Sequence, residues 1–308
     1  MPEPVVQTLG RLVGWPTVSN RPLDALAAHL AARAEAAGMH VTRFESAPGK
    51  ANVVARCGPR GVGGLTLSGH MDVVPTDDQD WTSDPFVLTE RDGRQHGRGT
   101  CDMKGFIAAT LHAIDGLDLR KLEQELVLIW THDEEVGCLG SALLAEQLQG
   151  EDRVLPTATV IGEPTDFRVL RLHPGHATFA VDIRGRSAHS SRPSLGLSAI
   201  SLAVEAACAI EAWAMELAQA PAFSEFLDTP HTLVNLGRIQ GGSAVNIVAE
   251  RCTLEIGVRP LPGLVVDDLE QQLLDRLAAL DSRARAAGGA VSLRRLQRAD
   301  ALLTSASC

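Results

Sequence analysis

Tyrosine is absent from the 308 residues, and Lys50, Lys104 and Lys121 are the only lysines. No phenol can take part in the chemistry, and positive charge is carried almost entirely by arginine. Acidic residues outnumber basic ones by 38 to 28, a formal net charge of -10. No basic stripe is available to neutralise phosphates, which excludes nucleic acid and anionic membrane as main partners. No apolar run approaches the ~18 residues of a membrane span. The opening MPEPVVQTLGRLVG lacks the basic start and apolar core of a secretory signal, so the cytoplasm is the expected location. The six cysteines, Cys57, Cys101, Cys138, Cys208, Cys252 and Cys308, include no CxxC pair. Neither a structural zinc knot nor a disulfide framework is expected. A GxSxG nucleophile elbow is also missing, which weighs against a serine hydrolase.

What is present suits a globular enzyme: 45% hydrophobic and 21% charged residues, with length for one large domain or two smaller ones. Ser19-Asn20-Arg21-Pro22 before LDALAAHLAARAEAAG reads as a helix capped by Ser19 or Asn20 and stopped at Gly38. Residues 53–55 and 65–67 read as short strands, 105–114 and 141–148 as helices, and 126–131 and 158–161 as buried strands. This alternation predicts an α/β domain with a largely parallel, mixed sheet flanked by helices. From residue 176 onward the expected order is β-α-β-β-α-β, a ferredoxin-like α+β domain. The boundaries read as 1–173 for the first domain, continued by 298–308, with 176–297 as an inserted or appended second domain.

Four segments carry candidate chemistry. In SGHMDVVP, His70 and Asp72 are two apart at a strand end and face the same side. A histidine ligand oriented by a nearby carboxylate fits, as does a local hydrogen bond. In GRGTCDMKG, Asp102 sits in a glycine-flanked turn, free to bridge two cations or simply to cap a helix. In THDEEVG, three consecutive acids follow a buried strand, where like charges repel unless cations or protons compensate. In IGEPT, Glu163 again follows a strand. In a parallel sheet these ends converge on one edge, and mixed histidine and carboxylate donors suit Zn2+ or a similar ion. Two such ions would make a site for metal-assisted hydrolysis.

With GRSAHSS, GGSAVNIVAE and RPLPG, in that order, these segments resemble the zinc-dependent aminoacylase and carboxypeptidase family, and GCLG with SAHSS points to its deacetylase branch. The resemblance implies a metal-binding catalytic domain and a lid through which the protein forms a homodimer. It implies two Zn2+ sites, with Co2+ a possible substitute. His70 and Glu163 would bind the first ion, Asp102 would bridge, and Glu135 would bind the second. Asp72 would hold His70, and Glu134 would be the general base. His189 would stabilise the oxyanion in the partner subunit's site, and Asn246 and Arg259 would contact the substrate. That substrate would be a small N-acyl amino acid, with N2-acetyl-L-ornithine first. The alternatives are N-acetyl-citrulline, succinyl-diaminopimelate, or a dimerising remnant without turnover. His96 replaces the family's usual aromatic before GRG. The family's second ion also takes a histidine from a late segment. Here His231 is the last histidine and the sequence closes on Ser305-Ala306-Ser307-Cys308, so one ligand fewer is expected there.

Overall fold

The chain divides into two compact units, Met1–Arg168 and Val169–Cys308. The computed structural model describes residues 3–305 except 62, 78 and 220–228. Residues 306–308, including the sixth cysteine, Cys308, lie outside the described residues. Cys57, Cys101, Cys138, Cys208 and Cys252 are free thiols. Among the described residues, no helix is long and apolar enough to cross a membrane.

The first unit contains α1 (Val5–Val13), α2 (Asp24–Ala36), β1 (His40–Ala47), β2 (Lys50–Cys57), β3 (Leu65–His70), β4 (Thr89–Arg91), β5 (Arg94–His96), α3 (Lys104–Asp115), β6 (Leu126–Thr131), α4 (Leu139–Gln147) and β7 (Ala158–Ile161). Its central sheet has the order β1-β2-β6-β3-β7. The strand pairs β3–β6 and β3–β7 are parallel, whereas β1–β2 and β2–β6 are antiparallel. Alternation along β2 and β6 sends Val53, Ala55, Leu128 and Trp130 to one face, packed with residues of α1, α2 and α3. Val54, Val127 and Ile129 go to the other face, against Leu144 of α4 and Leu148. β6 is buried as expected. β7 is not: all four of its residues are exposed, because it is the edge strand and pairs only with β3. The cap expected at Ser19 or Asn20 is also absent. Helix α2 starts at Asp24 with Leu23 at its N-cap and no side-chain cap.

The second unit contains β8 (Leu172–His173), β9 (His176–Arg184), α5 (Ala199–Ala218), β10 (Leu233–Gly241), β11 (Arg251–Arg259), α6 (Val266–Ala286), β12 (Ala290–Ala299) and β13 (Leu302–Leu303). From β9 to β12 the order is β-α-β-β-α-β, and the antiparallel sheet runs β10-β11-β9-β12. Alternate residues of β9 (Ala177, Phe179, Val181, Ile183) and β11 (Cys252, Leu254, Ile256, Val258) point into the core. Helix α5 meets them with Leu202, Ala206, Ile210 and Trp213, and α6 with Leu269, Leu273, Leu277 and Leu280, each at helical spacing. Trp213 is fully buried, and its indole N–H donates to Gln272 Oε1 at 2.9 Å. Trp213→Ala is expected to destabilise this unit by about 3–5 kcal/mol, read as a lower urea midpoint in far-UV circular dichroism.

Candidate metal centre

Because β3, β6 and β7 run parallel, their C-terminal ends share one edge of the sheet. His70 closes β3, the acids Asp133, Glu134 and Glu135 follow β6, and Glu163 follows β7. Asp102 joins them from the turn before α3, where Gly99 adopts φ +86° and a Cβ would stand 2.8 Å from Val73. Gly162 needs its bare backbone for a different reason: a Cβ there would lie 2.0 Å from the Phe106 ring.

His70 is 2% exposed. Its Nε2 lies 2.9 Å from Asp102 Oδ1, 3.8 Å from Glu163 Oε1 and 3.9 Å from Glu134 Oε2. The donor atoms of His70, Glu134 and Glu163 lie within 4.8 Å of one another, as do those of His70, Asp102 and Glu135. The four residues expected as ligands and the expected base are thus brought together. Asp72 holds His70 through its main chain: its carbonyl oxygen is 2.9 Å from Nδ1, whereas its carboxylate stands 3.6 Å away. That carboxylate instead accepts the backbone N–H groups of Glu134 and Glu135 at 3.0 and 3.2 Å and the Ser19 hydroxyl at 2.7 Å.

In the second unit, Ser190 N–H donates to the Asn246 carbonyl at 3.0 Å, and His189 bridges to Ile247, so the loops of His189 and Asn246 run side by side. His189 is exposed, with Nδ1 2.8 Å from Ser191 Oγ. Arg259 closes β11 on the exposed side, and burial together with its charge holds His176 below the usual histidine range.

Residues 66–262 match Peptidase family M20/M25/M40. The chain belongs to this family. It is 41% identical over 249 residues to an acetylornithine deacetylase of Pectobacterium atrosepticum, covering 80% of this chain and 63% of that protein. The chain therefore spans less than two thirds of that relative's length. An M20 family metallo-carboxypeptidase from Sulfolobus solfataricus has a similar fold, with a TM-score of 0.76 at 18% identity, covering 99% of this chain and 80% of that one. So has a tripeptidase from Staphylococcus aureus, with a TM-score of 0.72 at 21% identity, covering 98% and 77%.

The donor set fits a divalent cation. A carbonyl only accepts, so Nδ1 carries a proton toward Asp72; Nε2, 2.9 Å from Asp102 Oδ1, donates a proton there without a cation, and losing it would leave the lone pair a metal ligand needs. Without a cation, protons balance the crowded charge. Burial opposes the charged form of His70, but the Asp102 hydrogen bond and the charges of Asp72, Glu134 and Glu163 outweigh it and push the imidazole up to about 9. Burial, then Asp102, pushes Glu135 up to about 7, and the same two causes raise Glu163. Cys138 is pushed up to about 12 by burial and by Glu134, to which its thiol donates at 3.3 Å. It is a hydrogen-bonding thiol here, not a nucleophile.

Several supporting residues have no sequence signature. Ser19 serves Asp72 in place of a helix end. Lys104 is fully buried, and its Nζ donates to the Leu12 and Trp15 carbonyls at 2.9 and 2.6 Å, tying the end of α1 to the Asp102 turn. Burial pushes it down to about 7. Lys50, a buried lysine on β2, donates to Asp133 Oδ1 at 2.7 Å. The only cue in the sequence is the rarity of lysine, which leaves each one to be explained.

A cation entering this centre must displace the protons on His70 and Glu135. Since both groups are raised, they are protonated below about 9 and about 7. Saturating the metal-free protein with zinc is therefore expected to release about two protons near pH 6 and about one near pH 8. Apparent affinity should rise with pH until about 9. Calorimetry in buffers of different ionisation enthalpy reads the proton count.

Proposed function

We propose that the chain acts in metal-dependent amide hydrolysis, removing the acetyl group of N2-acetyl-L-ornithine to give L-ornithine and acetate, a step of arginine synthesis in the cytoplasm. The observation that carries the chemistry is the convergence of His70, Asp102, Glu134, Glu135 and Glu163 on one sheet edge. The choice of substrate rests on the 41% identity to the Pectobacterium deacetylase.

In this reading His70 and Glu163 would hold one ion and Glu135 a second, with Asp102 available to both. Zinc is the metal and cobalt a substitute. Bound ions polarise the amide carbonyl and acidify water. Glu134 takes the proton of the attacking water at a carboxylate oxygen and returns it to the leaving amine. The Asp72 hydrogen bonds to the backbone of Glu134 and Glu135 keep both side chains in place for these roles.

Residues 176–297, within the second unit, are assigned as a lid and homodimer surface. His189 donates to the developing oxyanion in the partner's site. Its Nδ1 is engaged by Ser191, which leaves Nε2 available. Asn246, on the adjacent loop, and Arg259 contact the substrate, with Arg259 suited to a two-pronged grip on the α-carboxylate.

Turnover of N2-acetyl-L-ornithine by the zinc-loaded protein tests the reading. It is expected to exceed that of N-acetyl-citrulline and succinyl-diaminopimelate. A clear preference for succinyl-diaminopimelate, or no turnover of any N-acyl amino acid by metal-loaded protein, would sink it. Glu134→Gln should lower kcat by about 10²–10⁴-fold, the span expected for a lost general base, while bound zinc stays at the level of the unmodified protein.

A further inference from the structure

We propose that Lys50 is a positioning residue for the metal centre: acting through Asp133, it holds the loop that aims Glu134 and Glu135 at His70. The inference rests on reading the His70 cluster as a metal site.

Asp133 has a left-handed backbone, φ +51°, immediately before the two glutamates. Its carboxylate belongs to neither group of candidate ligands. It accepts from Lys50 Nζ at 2.7 Å, from Asn20 N–H at 3.0 Å and from His132 Nδ1 at 3.1 Å. Lys50 and Asp133 are 8% and 6% exposed, so this ion pair is little screened by water. Lys50 is also the lone full positive charge, among the described residues, within salt-bridge distance of the three successive acids when histidines are set aside. The loop is therefore gripped twice. Asp72 takes the N–H groups of Glu134 and Glu135, and Lys50 takes the side chain of the residue before them. Removing Lys50 leaves a buried carboxylate uncompensated beside two others, and the loop can relieve that by turning Asp133 toward solvent. Such a turn moves Glu134 and Glu135 with it.

The grip originates in the β1–β2 hairpin. Ser46, on the strand before the hairpin turn, lies 2.6 Å from His132 Nε2, and Lys50 opens the strand after it. With Nδ1–H donated to Asp133, His132 Nε2 accepts the Ser46 hydroxyl proton. A serine–histidine–aspartate relay of this kind can also activate a nucleophile. Here His132 is 3% exposed and Asp133 is neutralised by Lys50, so no substrate reaches the imidazole and the relay serves to fix the loop.

The test is cobalt titration of the full chain, followed by visible absorption, together with amide exchange of residues 132–136. Lys50→Met and Asp133→Asn are compared with Lys50→Arg. Lys50→Met and Asp133→Asn are expected to bind Co2+ about 10–100-fold more weakly, the usual cost of losing support around a ligand, with altered visible bands. The loop amides should exchange at least about tenfold faster while those of β3 do not change. Lys50→Arg should keep most of the affinity and the bands. Cobalt affinity, spectrum and loop exchange all equal to the unmodified protein would overturn the proposal. So would an equal loss in Lys50→Arg accompanied by faster exchange throughout the unit. If Lys50→Met does not fold, Asp133→Asn carries the same test. If the unmodified protein binds no cobalt, the metal reading fails, and loop exchange alone then supports or overturns the role of Lys50.

Discussion

Negative charge crowded at one edge of a sheet is the constraint around which the first unit is built. Asp72, Asp102, Glu134, Glu135 and Glu163 gather at a single buried imidazole. Left alone, such a cluster would disperse into solvent or protonate. The fold prevents dispersal by fixing the backbone under each acid. Asp72 follows β3, Glu134 and Glu135 follow β6, Asp102 comes from a turn that needs Gly99, and Glu163 follows β7 after a glycine pressed against Phe106. What remains is a standing deficit of positive charge. The raised His70 and Glu135 meet it with protons, and a divalent ion would meet it better.

Around this cluster the neighbouring groups divide into those that face the reacting space and those that hold the backbone. Asp72 belongs to the second kind: its carbonyl orients His70, and its carboxylate gathers three donors from two distant parts of the chain. Lys50 does the corresponding work on the far side of the acidic loop, and Lys104 ties the end of α1 to the Asp102 turn. Two of the three lysines are thus buried ties. The second unit has a core of its own and carries His189, Asn246 and Arg259 at exposed positions in loops and at a strand end.

Much of this was legible in the residues. The run 126–131 read as a buried strand, which it is, and the β-α-β-β-α-β order expected from residue 176 onward is the order found. The candidate ligands stood out because acids at strand ends, flanked by glycine or proline, have no packing reason to be there. Other elements were not legible. Helix α1 buries only Thr8, Leu12 and Val13, and β1 alternates too weakly to announce itself, being held by its pairing with β2. The strand 158–161 looked buried from its apolar composition, yet its position at the sheet's edge leaves it exposed.

By itself, then, the sequence singled out the candidate side chains and their local settings, because strand ends, turns and helix periods depend on neighbours a few residues away. The tertiary structure alone decided what holds those side chains. Lys50 meets Asp133 across 83 positions and Ser19 meets Asp72 across 53. No local preference encodes such pairings: they exist only once the sheet order β1-β2-β6-β3-β7 has brought distant segments together and burial has removed water as the competing partner.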